Sequence, residues 1–194
     1  MAKAEYRNAI RSRKLIKQAF LELMQEKDID KISIKDIVTK ADINRGTFYA
    51  HYSNTRAVIE QIENESIAAW RDSLDEFRTD TLIENLLPFL QKIGQFIEED
   101  VDFCRLLLNA PGSITFINKL KALFMEKIVG AEQVPATSKK KQFLICANFF
   151  AYGYAGLIQE WLNRDLKISL NDLNLIISQT IKIGFQPFLS GRNK

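Results

Sequence analysis

Two helix-start signatures stand eleven residues apart near the beginning of this chain, and together they limit what it can fold into. Ser33 is a good N-cap with Asp36 three residues on as a weak capping box, and Ile32 and Ile37 occupy the flanking staple positions. Asn44 repeats the pattern, with Ile43 and Phe48 as its staple pair. A cap side chain takes up an amide proton that a helix start leaves unpaired, so each signature marks a helix beginning. The spacing predicts two short helices, 33–41 and 45–52, joined by Asp42-Ile43-Asn44. Upstream, Ile16, Ala19, Phe20, Leu23 and Met24 fall at i, i+3, i+4, i+7 and i+8, the stripe of an amphipathic first helix. A longer helix followed by two short ones across a three-residue turn is the helix-turn-helix arrangement.

Apolar residues keep helical spacing almost throughout the rest of the 194 residues, and no convincing strand alternation appears. The expected fold class is therefore all-α, with an N-terminal three-helix helix-turn-helix DNA-binding domain over 1–54 and a larger helical domain over 55–194. Helices are expected near 55–77, 82–99, 102–109, 114–129, 138–164 and 169–189. Pro111-Gly112 breaks one connection, and "VGAEQVPATS" is the clearest loop. The longest apolar run, "FLICANFFAYGYAGLI" from Phe143 to Ile158, is too short to span a bilayer and is broken by Asn148, so it reads as a buried helix. The start lacks the pattern of a secretory signal. Cys104 and Cys146 sit in apolar contexts and form no CxxC pair, so a reduced cytoplasmic protein with inert thiols is expected.

Charge is uneven. Residues 1–60 hold 12 Lys and Arg against 8 Asp and Glu, while the remainder holds 15 against 16. Within the first seventeen residues Lys3, Arg7, Arg11, Arg13, Lys14 and Lys17 face only Glu5. A basic end on a near-neutral body fits an anionic partner at that end, and equally a solvated helix start.

The segment "INRGTFYAHYSNT", Ile43 to Thr55, is poor in aliphatics and carries the single histidine. At about 100° per residue Phe48 and Tyr52 share one side of its helix and pack inward. The opposite side centres on Gly46 and Ala50, with Thr47 and Tyr49 at its shoulders and Arg45 at its start. Two small residues let the backbone approach a surface closely. Such a helix suits the major groove: Arg45 reaches guanine O6/N7 and Thr47 a base edge or thymine methyl. Tyr49 and His51 donate to phosphates, which sets register without reading sequence. Merely solvated polar residues are the alternative.

The run "SIKDIVTKADINRGTFYAHYSNTRAVI", Ser33 to Ile59, resembles the TetR family of bacterial regulators, most closely from Arg45 to Tyr52. That family shows Ala-Gly-Val-Ser-x-Gly-Thr-Phe/Leu-Tyr-x-His/Tyr-Phe followed by Lys-Glu/Asp-x-Leu. The resemblance covers roughly the first third of the chain and implies a DNA-facing set of Ser33, Asn44, Arg45, Gly46, Thr47, Tyr49, His51 and Thr55. Three positions depart from it. Asp42 stands where the family has Gly, and Asp tolerates positive φ better than most residues. Asn44 replaces Ser and caps equally well. Thr55 replaces a Lys that would reach a phosphate, and Arg56 is the neighbour able to substitute.

Most of the 13 Phe and both Trp lie beyond residue 69. Because Phe143–Ile158 is apolar all round, it must be covered on two sides. Ala147, Ala151 and Ala155 form a small-residue ridge along it, and the last helix offers Leu173, Ile177 and Ile181 alongside. A two-fold homodimer closing these helices into a four-helix bundle is expected, as the resemblance also implies. A purely intramolecular core helix is the alternative. The resemblance further implies that a fourth helix, Thr55 to Phe77, links the DNA-binding end to a body holding a small-molecule effector. Trp70, Phe89, Phe96, Phe103, Phe116, Phe149 and Tyr152 are its candidate pocket, though aromatics at helical spacing also serve as plain core.

One His and two distant Cys leave no metal set, and neither a G-x-S-x-G motif nor a Gly-rich phosphate loop appears. No enzyme, cofactor or membrane partner is expected. The sequence thus points to a dimeric regulator of transcription on a double-stranded DNA operator. Repression relieved by an apolar or aromatic effector is the expected mode. The competing class is a dimeric helical adaptor acting through a protein partner; Thr55 is its one hint.

Overall fold

A computed structural model describes residues 2–75, 77, 85–109, 114–129 and 139–189. Among these the chain forms α1 (Ala2–Glu26), α2 (Ile34–Lys40), α3 (Arg45–Tyr49), α4 (Thr55–Leu74), α5 (Leu86–Glu99), α6 (Val101–Asn109), α7 (Ile114–Val129), α8 (Lys140–Leu162) and α9 (Leu170–Leu189), with a 3-10 turn at Ile29–Lys31 and no strand. The Pro111-Gly112 break, the loop at 130–138 and the expected helix start at 82 lie outside the described residues.

Two compact units divide inside α4, between Ser66 and Ile67, with Asn109 assigned to the first. In the first, α1 packs on α2 and α3, and α2 on α3. Its core is Ile16, Phe20, Leu23, Ile37, Phe48, Tyr52, Val58 and Ile62, all buried. Burying one such large side chain contributes about 1.5–3 kcal/mol. Both helix-start signatures are realised. Asp36 N–H donates to Ser33 Oγ at 3.2 Å while Ser33 N–H donates to Asp36 Oδ2 at 2.8 Å, a closed capping box.

The turn after α2 explains the aspartate at 42. Asp42 has φ 52°, its amide donates to Thr39 O, and that of Ile43 donates to Val38 O at 3.0 Å. These are the paired bonds of a Schellman ending, whose left-handed residue is most often Gly. α3 stops three residues short of the expected end. The amides of His51 and Tyr52 both turn to Phe48 O, which tightens the chain and delivers the Tyr52 ring to the core. Asn54 then caps α4, accepting from Ala57 N–H at 2.9 Å.

In the second unit α5 packs on α9, α7 on α8 and α8 on α9. Asn174 is fully buried and fastens three helices at once: it donates to Leu90 O at 3.1 Å and accepts from the Tyr154 hydroxyl at 3.0 Å. α5 presents Gly94 there because a Cβ would stand 2.8 Å from Asn174 Nδ2. The ring of Phe150 sits on Gly184 of α9, where an added Cβ would lie 2.5 Å from Cζ. Arg105 Nε donates to Leu162 O and Gln159 Nε2 to Leu108 O, so α6 and α8 satisfy each other's last carbonyls.

Candidate functional site

The outer side of α3 is built on its cap. Asn44 Oδ1 accepts from Thr47 N–H at 2.7 Å and from Thr47 Oγ1 at 3.1 Å. The Thr47 hydroxyl proton is thereby committed, which leaves its methyl and an acceptor lone pair outward. Gly46 keeps this cap open, since a Cβ would approach Asn44 Oδ1 to 3.2 Å. Arg45 is exposed and makes no ion pair among the described residues. Tyr49 is 56% exposed, its ring held edge-on to the buried Phe48 at 5.8 Å and 87°.

His51 is half-buried, and Arg13 Nε donates toward its Nδ1 at 3.5 Å. Burial, then the Arg13 charge, hold its pKa below the ordinary histidine value. A neutral ring accepting at Nδ1 carries its proton on Nε2, as a donor. Ser33 differs from the others in the expected set, because its hydroxyl is engaged with Asp36 Oδ2 at 2.7 Å. Thr55 opens α4 and Arg56 beside it is exposed, without an ion pair among the described residues.

The Asp36 carboxylate receives Lys27 Nζ at 2.7 Å as well as Ser33, and these hold its pKa well below the usual range. A depressed folded pKa contributes stability that is present above the unfolded value, about 4, and lost as pH falls through the folded one. Ser33→Ala should lower stability by about 1 kcal/mol at pH 7, and the gap to wild type should narrow only as pH falls through the folded range of Asp36, well below 4. Thermal melts at pH 7 and at about pH 2 check both; an equal gap at the two would remove the carboxylate from the cap.

A cavity of about 60 Å³ lies wholly within the second unit, among α4 to α9. Apart from Trp70, Lys121 and Tyr154 its lining is pure hydrocarbon, and burial keeps the Tyr154 phenol neutral by raising its pKa. Of the seven aromatics expected there, Trp70 and Phe89 line it. Phe96 and Phe116 instead back the Trp70 ring, stacked at 5.6 Å and edge-on at 6.2 Å. Phe103 is half-buried off the lining, while Phe149 is 72% and Tyr152 44% exposed.

The alanine ridge also faces inward. Ala147 is buried, and Ala151, Ala155 and Ile181 line the cavity. Leu173 and Ile177 are buried within the unit. The small side chains of Ala151 and Ala155 make room for the hollow. What α8 and α9 turn outward is Ile145, Phe149 and Tyr152, with Leu175, Ile176 and Ile183. A Cβ at Gly153 or Gly156 would meet nothing within 4 Å. Sequence reasoning missed Lys121, Tyr154 and Phe150, since a helix apolar all round gives no direction to any one position.

A capped recognition helix, a left-handed turn before it and an outward Arg-Gly-Thr-x-Tyr face define a helix-turn-helix regulator of transcription, a non-enzymatic class. The family model for bacterial regulatory proteins of the tetR family matches residues 16–62, and one for a transcriptional regulator C-terminal region matches 84–183. The chain belongs to the TetR family, as a DNA-binding transcriptional regulator. It is similar to the HTH-type transcriptional regulator YxbF of Bacillus subtilis (strain 168), 38% identical over 69 residues, 35% of this chain and 18% of that one. It is also similar to DhaS of Lactococcus lactis subsp. lactis (strain IL1403), an HTH-type dhaKLM operon transcriptional activator, 31% identical over 94 residues. That match takes in 48% of this chain and 50% of DhaS, so the chain spans half or less of these curated relatives. The fold is that of a TetR transcriptional regulator from Streptococcus agalactiae 2603V, with TM-score 0.69 and 22% identity over 93% of this chain and 99% of that one. No helix among the described residues is long and apolar enough to cross a membrane.

Proposed function

We propose that the chain is a homodimeric, cytoplasmic repressor that holds a pseudo-palindromic operator with two copies of α3 and leaves it when a small apolar or aromatic effector enters the cavity. The observation that carries this reading is the outer face of α3: Arg45, Gly46 and Tyr49 are exposed, Thr47 is partly so, and Phe48 alone in that helix is buried. In it Arg45 reads guanine, Thr47 meets a thymine methyl or base edge, and Tyr49 and His51 donate to phosphates. Arg56 supplies the phosphate contact that Thr55 lacks. Residues 1–54 carry DNA binding, and 55–194 carry effector binding and dimerisation.

The dimer is supported by the outward apolar side of α8 and α9, with Gly153 and Gly156 allowing close approach. It sets two half-sites about one DNA turn apart, or a multiple of it. The effector is supported by the hollow itself. An apolar void of about 60 Å³ costs about 1.5 kcal/mol to keep empty, and an occupant returns that stability. Since an engineered cavity of roughly 150 Å³ takes up benzene, an effector entering here displaces a wall ring. It switches the protein by binding the DNA-free state more tightly than the DNA-bound one. Activation is the second reading, favoured by the relative named as an activator.

Selection from a randomised duplex pool, followed by a salt series on the winner, tests the reading. An inverted repeat bound with steeply salt-dependent affinity is expected; sequence-indifferent binding would favour the adaptor. On that duplex Arg45→Ala should lose about 1–3 kcal/mol and relax specificity at one position per half-site. Tyr49→Phe should weaken all sequences alike, and a base-specific loss would remove it from the phosphate role.

A further inference from the structure

The cations of the first unit divide by position. Those in later turns or just past helix ends are paired: Lys17 with Glu65, Lys27 with Asp36, Lys31 with Asp28, and Lys40 with Glu22 and Glu26. Others, in the first half of α1 or the first turn of α2, α3 and α4, are exposed and make no ion pair among the described residues: Arg7, Arg11 and Lys14 in α1, Lys35 in α2, Arg45 in α3 and Arg56 in α4. Lys35, Arg45 and Arg56, in the first turns of their helices, oppose the macrodipole. Arg7 with Arg11 and Arg11 with Lys14 are also like-charged neighbours at i, i+4 and i, i+3. Helix stability therefore disfavours this stripe.

The same stretch has no core role. None of the side chains from Tyr6 to Leu15 is buried, and Ile16 is the next one that is. A helix of about that length is marginal in water without something to pack on. We propose that the N-terminal half of α1 is a second DNA-binding element, in which Arg7, Arg11 and Lys14 hold the sugar–phosphate backbone outside the base pairs read by α3. The stripe is about 10 Å long, roughly three base-pair rises of 3.4 Å along the duplex axis. DNA is favoured over an anionic membrane because the stripe belongs to the same compact unit as α3, and Arg13, on another side of these turns, donates to His51 two residues beyond α3. A membrane would also need a broad apolar side, and this stretch exposes only Tyr6 and Ile10 as large apolar side chains. The proposal rests on the DNA-binding class of the protein, and not on the sign of regulation or on an effector.

The test is the variant R7A/R11A/K14A in the full chain, on the duplex recovered by selection, read by a salt series, hydroxyl-radical footprinting and a thermal melt. The salt slope should fall by about 5, at about 0.9 per phosphate contact for three contacts in each of two protomers, and the outer edge of the footprint should retreat. The ranking of single-base operator variants should stay, and the melting temperature should hold or rise. R7K/R11K should keep the wild-type slope, as a charge contact requires; its loss there would overturn the proposal in favour of a shape role. An unchanged slope and footprint in the alanine variant would overturn it too. So would a variant that loses only its binding to phosphatidylserine vesicles, which would mark a membrane surface. A wild type that protects no duplex overturns the operator reading as well, and is recognised before any variant is made.

Discussion

Phe48→Ala should leave the first unit without a stable fold while the second stays helical. Phe48 has 0% exposure, and its ring stands 5.8 Å from that of Tyr49 and 5.9 Å from that of Tyr52. α3 has only five residues, too few to hold itself together without packing. Truncating a buried Phe to Ala costs about 3–5 kcal/mol, transfer and cavity together. A unit of this size, at about 0.05–0.15 kcal/mol per residue, has roughly 3–10 kcal/mol in all. The loss is of the same order as the whole. Amide exchange is the direct readout: protection in α1 to α3 should collapse toward that of an open chain, and protection in α8 and α9 should persist. Operator binding should vanish with it, unlike Arg45→Ala, which keeps the fold and alters the reading. Full protection in α2 and α3 of the variant would mean that Phe48 is not the keystone its burial implies.

The second large effect is expected from the outside of the molecule. Phe149→Asp should convert the proposed dimer to monomer without unfolding the chain. The ring is 72% exposed and rests on Phe150 at 5.6 Å, with Ile145 and Tyr152 on the same side of α8. Burying a Phe contributes about 1.5–3 kcal/mol, and a two-fold interface counts each change twice. The dimer dissociation constant should therefore rise by about 10²–10⁴, more if the two carboxylates face each other. Sedimentation velocity at micromolar concentration reads the change, and operator affinity should fall with it because the two half-sites are no longer held together. A variant that sediments as the wild type, or a wild type that is itself a monomer, would take α8 out of the interface.

How much of this was legible in the sequence differs by element. Ser33 and Asn44 announced their helices because a cap acts on amides three residues away, a strictly local event. Asp42 was legible as a left-handed residue only through the resemblance, which has Gly at that position. Arg45, Gly46 and Tyr49 followed from helical angle alone. In α8 that method fails, for apolar residues surround the helix and periodicity supplies no inward direction. Ala151 and Ala155 therefore read as a surface ridge when they line a hollow, and Phe149 read as pocket when it faces out. A hollow is where several helices fail to meet, a property of none of them singly. The contact between Arg13 and His51 joins positions 38 apart, and no local pattern encodes it.

The Phe150 ring bears on the hollow at one side and on Gly184 at the other. It is a partition shared by two compartments, so neither can be resized alone. A methyl at 184 must either turn the ring into the hollow or push α9 away from α8. The residue opposite the ring on the last helix then sets the size of the hollow. Bulk gained there is room withdrawn from the interior.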